Sequence, residues 1–357
     1  MHILPRGIQS GDAWGYLLPW YDEIKEAGGW NSLNHQVGNY NIPYQILIII
    51  GTYLPLNPLT YYKLLSGIFD FILALSVATL VKELTNHKYG RFGFVLVYSI
   101  ILIIPTVFLN SAVWAQCDSM YSSFVVLTVL SLYKEQYKKA FIFCGFAFAM
   151  KLQAIFVVPL IIYLYLTRKN FTILHFLLIP IPNLTLNIPA YFYGRSPLDT
   201  LSIYLEQTDT FKQMTIDCDN FWMFSELGSY DHLSGVAIGY TLILLGTGLL
   251  LILRGGCPIN DRKFWTADKF MLLCVWSMMT TIFFLPAMHE RYTYLLDVLL
   301  FAAAFTDKRL FKVWFAEAMV SYITYARYLF GTDLVKQIPS AVNMVCWFYL
   351  TCSSQEK

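Results

Sequence analysis

The sequence predicts an all-α protein, a polytopic transmembrane helical bundle with additional interfacial and re-entrant helices. Of its 357 residues, 57% are hydrophobic and only 13% are charged, whereas soluble domains carry about 25% charged residues. Long uncharged runs such as 233–253 and 270–288 are long enough to cross a bilayer. A net charge of +2 is too small for the electrostatic binding of nucleic acid. These observations exclude a soluble enzyme, a disordered chain and a nucleic-acid-binding protein.

The apolar runs predict nine spans, near 60–81, 92–109, 118–133, 171–192, 233–253, 269–287, 292–306, 313–330 and 339–352. Loops rich in Lys and Arg face the cytoplasm. One set of loops together with Lys357 holds 16 of the 25 basic residues, which places that set inside. The opposite segments are then predicted to face outward: 1–59, 110–117, 193–232, 288–291 and 331–338.

The chain is predicted to form a single integral-membrane domain over 1–357. Residues 1–59 form an outer segment with interfacial helices, among them Ile42 to Leu56, which is too short and too rich in flanking prolines to cross. Spans fill 60–192 and 233–357, and 193–232 is an outer loop. The segment 140–167 lies between two basic loops and is shorter than the ~40 residues that two crossings need. It is therefore predicted to be a re-entrant hairpin.

Several polar clusters lie on the predicted outer side. Asp12 precedes an aromatic amphipathic stretch and is either a helix N-cap or a general base that accepts a proton from an attacking hydroxyl. Trp114, Gln116 and Asp118 lie between two apolar runs. They form either an interfacial tryptophan belt with a capping acid or part of a binding site.

Two further clusters carry positive charge. Lys151, followed by Gln153, lies near the turn of the hairpin and either snorkels to the headgroups or pairs with a phosphate. His289, Glu290, Arg291 and Tyr292 lie at an outer boundary. They either form an ion pair within a tight loop or bind a phosphate through Arg291, with His289 as a second donor.

The 289–292 cluster is not a zinc motif, because HExxH requires a histidine where this chain has Thr293. A divalent ion shared by Asp12 and Asp118 is a disfavoured alternative, and no cofactor is expected. Together the outer clusters point to a lipid-linked phosphate at the membrane edge. Arg291 and Lys151 would neutralise it, and Asp12 would act from the opposite side of one outward-facing cavity.

At these residues the sequence resembles the GT-C superfamily of polytopic glycosyltransferases, and especially bacterial membrane proteins related to the GPI-anchor mannosyltransferase that adds the second mannose. The likeness runs from Ser10 to about Leu300. It rests on the order of the motifs SGD at 10–12, PWYD at 19–22, GNYNIPY at 38–44, WAQCD at 114–118, KLQ at 151–153 and HERY at 289–292. The chain departs from the family in two respects: no predicted span precedes Asp12, and Cys117 stands where relatives carry a small polar residue.

The resemblance implies an inverting transferase that uses a polyprenyl-phosphate sugar as donor. Residues 1–59 would be the outer catalytic loop and Asp12 the catalytic acid residue, while Lys151, His289 and Arg291 would hold the donor phosphate. Residues supporting the substrate would be Trp114, Gln116, Asp118, Gln153, Glu290 and Tyr292.

The leading hypothesis is a glycosyltransferase that moves a hexosyl unit, with mannose as one candidate, to a glycan or lipid-linked acceptor. It would act at the outer face of a bacterial cell membrane. The alternatives are a flippase or transporter for a lipid-linked glycan, a polysaccharide polymerase, and a non-catalytic subunit of a transferase complex. A flippase is disfavoured because the chain shows no matching halves.

Overall fold

The computed structural model describes residues 10–168, 170–209, 211–224, 229–254, 265–332 and 335–355. This part of the chain is almost entirely helical, which confirms the predicted all-α class. The α-helices are α1 Leu18–Glu26, α2 Ile42–Thr52, α3 Pro58–Leu84, α4 Gly90–Ile103, α5 Pro105–Phe108, α6 Asp118–Tyr133, α7 Tyr137–Met150, α8 Val158–Arg168, α9 Pro180–Leu186, α10 Ile188–Phe192, α11 Pro197–Asp209, α12 Tyr230–Arg254, α13 Ala267–Phe284, α14 Tyr294–Ala304, α15 Leu310–Phe330 and α16 Gln337–Gln355.

Two helices in the described residues, α3 and α13, are long and apolar enough to cross a membrane. A third candidate is α4 taken together with 105–113, which follows it after a break. The helix α12 covers the predicted span 233–253, and α6 covers 118–133 from end to end. The coarse prediction of long apolar helices is therefore confirmed.

The predicted span near 92–109 is not one continuous helix, and whether the bent segment crosses the membrane stays a prediction. The helix α4 stops at Ile103, and the chain bends by 55° before it continues through α5 into a π-helical turn at Leu109–Val113. The cause is Pro105, because the residue before a proline is pushed out of the helical region. Ile104 accordingly has φ −54° and ψ 127°.

The predicted span 171–192 is also not one continuous helix, and its crossing of the membrane stays a prediction. This segment consists of a 3-10 helix at Ile173–Leu178 followed by the short helices α9 and α10. Pro180, Pro182 and Pro189 interrupt it. A proline inside a helix removes a backbone hydrogen bond and clashes with the preceding turn, so an apolar composition alone does not produce a long helix here.

The segment 140–167 contains two short helices, as its length requires. The helix α7 has 14 residues and ends at Lys151, whose backbone is extended at φ −158° and ψ 140°. A 3-10 helix at Leu152–Val157 leads into α8, which has 11 residues. Each is shorter than the ~20 residues of a full crossing, and re-entry into the membrane stays a prediction.

Contacts divide the chain into two compact units. The first unit comprises Met1–Ser76, Ser99–Ala154 and Ile173–Phe211; the second comprises Val77–Tyr98, Ile155–Thr172 and Lys212–Lys357. In the first unit, α1 and α2 pack together on the 3-10 helix Gly29–Asn34, and α6 packs along α7. In the second unit, α13 is almost wholly buried and packs against α12, α14 and α16.

The second unit also contains two very short strands. Strand β1, Thr215–Ile216, pairs in parallel with β2, Met288–His289, so that Thr215 faces Met288 and Ile216 faces His289. The backbone of Asp217 extends this pairing to His289. The two strands hold the segment that contains Thr215 and Ile216 against the turn that carries the HERY motif, and this contact positions the second group of candidate residues.

Candidate active site

Asp12 lies in the first helical turn, and its backbone is helical at φ −65° and ψ −35°. Its side chain makes no capping hydrogen bond. Ser10 performs that function instead, because its Oγ accepts a hydrogen bond from the Ala13 amide at 3.1 Å and donates one to the Trp114 carbonyl at 2.9 Å. The N-cap interpretation of Asp12 is therefore wrong.

The carboxylate of Asp12 is held by two neutral donors that are far away in sequence. Oδ2 accepts hydrogen bonds from Trp114 Nε1 at 3.0 Å and from Gln116 Nε2 at 2.7 Å. Trp114 has no exposed surface and Gln116 is 3% exposed, while Asp12 itself is half-buried. An interfacial tryptophan belt would leave Trp114 at the surface, so that interpretation is wrong.

Tyr40 extends this arrangement by donating its hydroxyl hydrogen to Gln116 Oε1 at 3.0 Å. The loop that carries Tyr40 is held from within by Gln36, whose Nε2 donates to the carbonyls of Gly38 at 2.9 Å and Tyr40 at 2.7 Å. Gly38 has φ +70°, and a Cβ there would lie 2.5 Å from the Trp20 ring. Only glycine fits this position without displacing the indole.

The outer loop fixes the same segment from another direction within the first unit. Arg195 NH1 donates to Gln36 Oε1 at 3.0 Å, and Gln207 of α11 donates to the Asn39 carbonyl at 2.7 Å. Partial burial lowers the pKa of the Arg195 guanidinium from its usual value. These contacts tie the position of Tyr40 to residues more than 150 positions further along the chain.

Lys151 forms a buried ion pair with Asp118. The two side chains are 3% and 1% exposed, and Asn110 Nδ2 donates to the other carboxylate oxygen at 2.7 Å. The Lys151 ammonium also lies 5.2 Å from the centre of the Tyr40 ring and 6.0 Å from that of Tyr121, within range of cation–π attraction. Lys151 therefore does not snorkel to the surface.

The first unit thus brings together five of the predicted site residues. We call Asp12, Tyr40, Trp114, Gln116, Asp118 and Lys151 the Asp12 network. It begins at a half-buried carboxylate and passes through Gln116 and Tyr40 to a buried ammonium. The carboxylate is able to accept a proton, and the ammonium places positive charge beside the same tyrosine. Gln153 lies two residues after Lys151, in the 3-10 helix that follows α7.

The remaining predicted residues form a separate cluster in the second unit. Glu290 is 3% exposed, and its carboxylate lies between two basic side chains: Arg291 NH1 donates to Oε1 at 2.9 Å, and His289 Nδ1 lies 3.4 Å from Oε2. We call these three residues the 289–291 triad. An internal ion pair within a tight loop was one of the two interpretations of this motif, and the structure contains that pair between Glu290 and Arg291.

Tyr292 completes the turn. Its amide donates to the His289 carbonyl at 3.0 Å, and its ring centre lies 5.1 Å from that of His289 and 5.8 Å from that of Phe156. The Asp12 network and the 289–291 triad belong to different units. Their predicted convergence on one cavity stays a prediction.

Sequence reasoning missed two residues of the Asp12 network and its surroundings. Tyr40 belongs to the GNYNIPY motif on which the family resemblance rests. A single tyrosine among many aromatic residues did not by itself indicate a site residue. Asn110 lies at the edge of an apolar run and gave no signal. Arg327 of α15 donates to Asp219 Oδ1 and to the Asp217 carbonyl, each at 2.9 Å.

Among the described residues, no group of three or more His, Cys, Asp or Glu side chains has an arrangement that could hold a metal ion. No protein-family model matches the chain, and no curated protein sequence matches it significantly. The function proposed below therefore rests on the residues, their geometry and the stated resemblance.

Proposed function

We propose that the protein is an integral-membrane glycosyltransferase that moves a hexosyl unit from a polyprenyl-phosphate donor to a hydroxyl of a glycan or glycolipid acceptor. The observation that carries the proposal is the environment of Asp12. Its carboxylate is not used as a helix cap; it is oriented by Trp114 and Gln116 and connected through Tyr40 to Lys151. A fixed, partly exposed carboxylate is what a general base requires.

In the proposed reaction, the acceptor hydroxyl attacks the anomeric carbon from the face opposite to the phosphate. Its proton passes to Asp12, the bond between the anomeric carbon and the phosphate oxygen breaks, and the bonding electrons leave with the polyprenyl phosphate. One displacement inverts the anomeric configuration. Trp114 and Gln116 keep Asp12 Oδ2 in place and so fix the direction in which the carboxylate meets the attacking hydroxyl.

The leaving phosphate gains negative charge in the transition state, and fixed cations stabilise such charge most effectively where water is excluded. We assign this role to Lys151, with His289 and Arg291 as further phosphate-binding residues. Lys151 is already positioned by Asp118, and Glu290 orients His289 and Arg291 in the same way. Each cation is thus oriented by a carboxylate before substrate binds.

The membrane location is part of the proposal. It is supported by α3 and α13, which are long and apolar enough to span, and by the basic residues that mark one set of loops as cytoplasmic. We place the chain as a multi-pass helical bundle in a bacterial cell membrane, with Asp12 facing outward. A polyprenyl donor, anchored in the same bilayer, would reach the site by lateral diffusion.

The test is to incubate membranes containing the protein with a panel of radiolabelled polyprenyl-phosphate sugars and a mixture of glycan and glycolipid acceptors. Transfer of one labelled sugar per product from one donor supports the proposal. Products that grow by whole lipid-linked oligomers would instead identify a polymerase. Absence of transfer from every donor, with folded protein, would contradict the enzymatic assignment.

One observation favours a second candidate, a flippase for a lipid-linked glycan. Asp297 of α14 and Glu317 of α15 are both fully buried, and Ser321 Oγ lies within 3.1 Å of the first and 3.3 Å of the second. Buried acids in apolar helices are often parts of proton pathways in transporters. Movement of a labelled lipid-linked sugar across vesicles without glycosyl transfer would support this candidate.

A further inference from the structure

A small cavity lies beneath the turn 217–220 of the second unit. Its volume is about 10 Å³, which is about the smallest volume that holds one water molecule. Apolar side chains of α13 and Leu296 line one side. The polar lining includes Asn220 of the turn, Glu317 of α15 and Asn343 of α16.

Three polar atoms of these lining residues have no hydrogen-bond partner in the described part of the chain: Asn220 Nδ2, Glu317 Oε2 and Asn343 Oδ1. The residues are 1%, 0% and 3% exposed, so bulk water does not satisfy them. Buried polar groups in native proteins are almost always hydrogen-bonded to protein or to ordered water. Because the three residues line one cavity, a single small ligand there is the simplest common partner for these atoms.

The orientation of each amide is fixed by a backbone partner. Asn220 Oδ1 accepts from the Trp222 amide at 3.1 Å, and Asn343 Nδ2 donates to the Asp219 carbonyl at 3.0 Å. Rotating either amide would lose that bond. The atoms left for a ligand are therefore a donor on Asn220 and an acceptor on Asn343.

Glu317 supplies a third contact whose character depends on its proton. Its other oxygen, Oε1, lies 3.3 Å from Ser321 Oγ, which also lies 3.1 Å from Asp297 Oδ1 and 2.8 Å from Thr293 Oγ1. The Glu317 carboxyl also shares a side-chain hydrogen bond with that of Asp297, which requires a proton on one of the two acids. An ionised Glu317 offers an acceptor at Oε2, and a protonated Glu317 offers a donor there when its proton does not bond to Asp297. In both states the three atoms combine donors with acceptors.

We propose that this cavity binds one water molecule as a built-in part of the fold. Water accepts from Asn220 Nδ2, donates to Asn343 Oδ1, and serves Glu317 Oε2 in either role, which gives the roughly three bonds typical of buried waters. A monovalent cation fits less well, because the Asn220 amide would point a donor at it. The water would join the outer-loop turn to α15 and α16.

The direct test is an experimental map of the full-length protein in detergent or nanodiscs, at a resolution that shows ordered water. A peak about 2.7–3.2 Å from Asn220 Nδ2, Asn343 Oδ1 and Glu317 Oε2 is the expected result. No peak in well-ordered surroundings would overturn the proposal. So would a peak that appears only in sodium or potassium buffer and disappears in choline chloride.

A stability measurement on the same protein needs no map. The thermal midpoint of the wild type should be equal in sodium, potassium and choline chloride at equal ionic strength; a rise specific to one metal ion would identify a cation site and overturn the water assignment. Asn220→Asp keeps the size and the bond from Trp222 but replaces the donor by an acceptor. Its midpoint should fall by a few degrees, while Asn170→Asp, an exposed control, should not change; an unchanged Asn220→Asp midpoint would contradict the proposal.

Discussion

The Asp12 network and the 289–291 triad both combine acids with bases in short motifs, yet they use their carboxylates differently. Glu290 contacts Arg291 and His289 directly, so its charge is neutralised by its own neighbours in sequence. The two donors that orient Asp12 Oδ2 are a neutral indole and a neutral amide. The first arrangement places a carboxylate between two basic side chains of the same turn, whereas the second fixes the direction of a carboxylate through donors that are distant in sequence.

The comparison teaches that charge content alone does not assign a role. Asp118 and Glu290 act as orienting partners of cations, and they are 1% and 3% exposed. Asp12 is half-buried and accessible. Exposure separates the candidate base from the orienting acids, and the predictions below test the two groups of residues separately.

The largest expected effect on stability comes from Lys151→Met, which leaves Asp118 buried without its ammonium partner. Breaking a buried pair on one side costs about 3–5 kcal/mol, so the free energy of unfolding should fall by that amount in denaturant or thermal unfolding. Lys25→Met, an exposed control, should change little. Adding Asp118→Leu to Lys151→Met should recover much of the lost free energy of unfolding. A double variant as unstable as Lys151→Met alone would show that the unpaired Asp118 charge does not cause the destabilisation.

Glu290→Gln should have the next largest effect, because it removes the charge that orients His289 and Arg291. A hydrogen bond to a charged group contributes about 1.5–3 kcal/mol, and the free energy of unfolding should fall within that range. Donor binding should weaken as well, since the phosphate-binding cations lose their fixed position. Equilibrium unfolding and donor binding measured on one preparation check both. Tighter donor binding by Glu290→Gln would show that Glu290 competes with the donor phosphate for His289 and Arg291 and does not orient these two residues for phosphate binding.

Trp114→Phe should reduce transfer about fivefold to tenfold, corresponding to ~1–1.4 kcal/mol. The indole donor to Asp12 Oδ2 is lost while most of the ring volume is kept. Trp222→Phe is a matched control, because it removes an indole bond to the Phe284 carbonyl at 2.8 Å in the second unit. That variant should lose comparable stability but keep its rate of transfer. Equal activity losses in both variants would contradict the specific role of Trp114.

The smallest effect is a pH dependence at the start of α11. Asp199 accepts from the Ser196 amide at 2.9 Å, and this hydrogen bond is the main reason that the pKa of Asp199 lies below its ordinary value of 3.8. Because the pKa of Asp199 is lower in the folded state than in the unfolded state, its contribution to stability is complete above pH 3.8. That contribution is lost as the pH falls through the pKa of Asp199 in the folded protein. Thermal unfolding across this range should show a slight acid destabilisation that Asp199→Asn removes; an identical pH profile in the variant would contradict the assignment.

The sequence predicted the helical class and the positions of α3, α6, α12 and α13, because uninterrupted apolar runs define helices of that length. It failed where proline interrupts an apolar run, at Pro105 and in 171–192. The amino-acid composition of those segments shows that they are apolar, whereas backbone geometry determines whether they form one continuous helix. The prolines were visible in the sequence, so these errors are of the kind that local steric rules correct.

The candidate site was predictable only in part. The residue types of Asp12, Lys151 and Arg291 marked them as unusual near apolar runs, since ionised groups are costly there. Their partners could not be predicted, because Trp114 and Gln116 lie more than 100 positions from Asp12, and no local pattern encodes such a contact. The same limit applies to Asp118, which pairs with a lysine 33 positions away.

The central claim is that Asp12 is the base that activates the acceptor. The most direct measurement is the single-turnover rate of sugar transfer by wild type, Asp12→Asn and the exposed control Asp22→Asn in the same membranes, together with donor binding. We expect Asp12→Asn to lose at least ~100-fold in rate while it folds and binds donor normally, and Asp22→Asn to behave as wild type. A rate for Asp12→Asn close to that of wild type would contradict this claim.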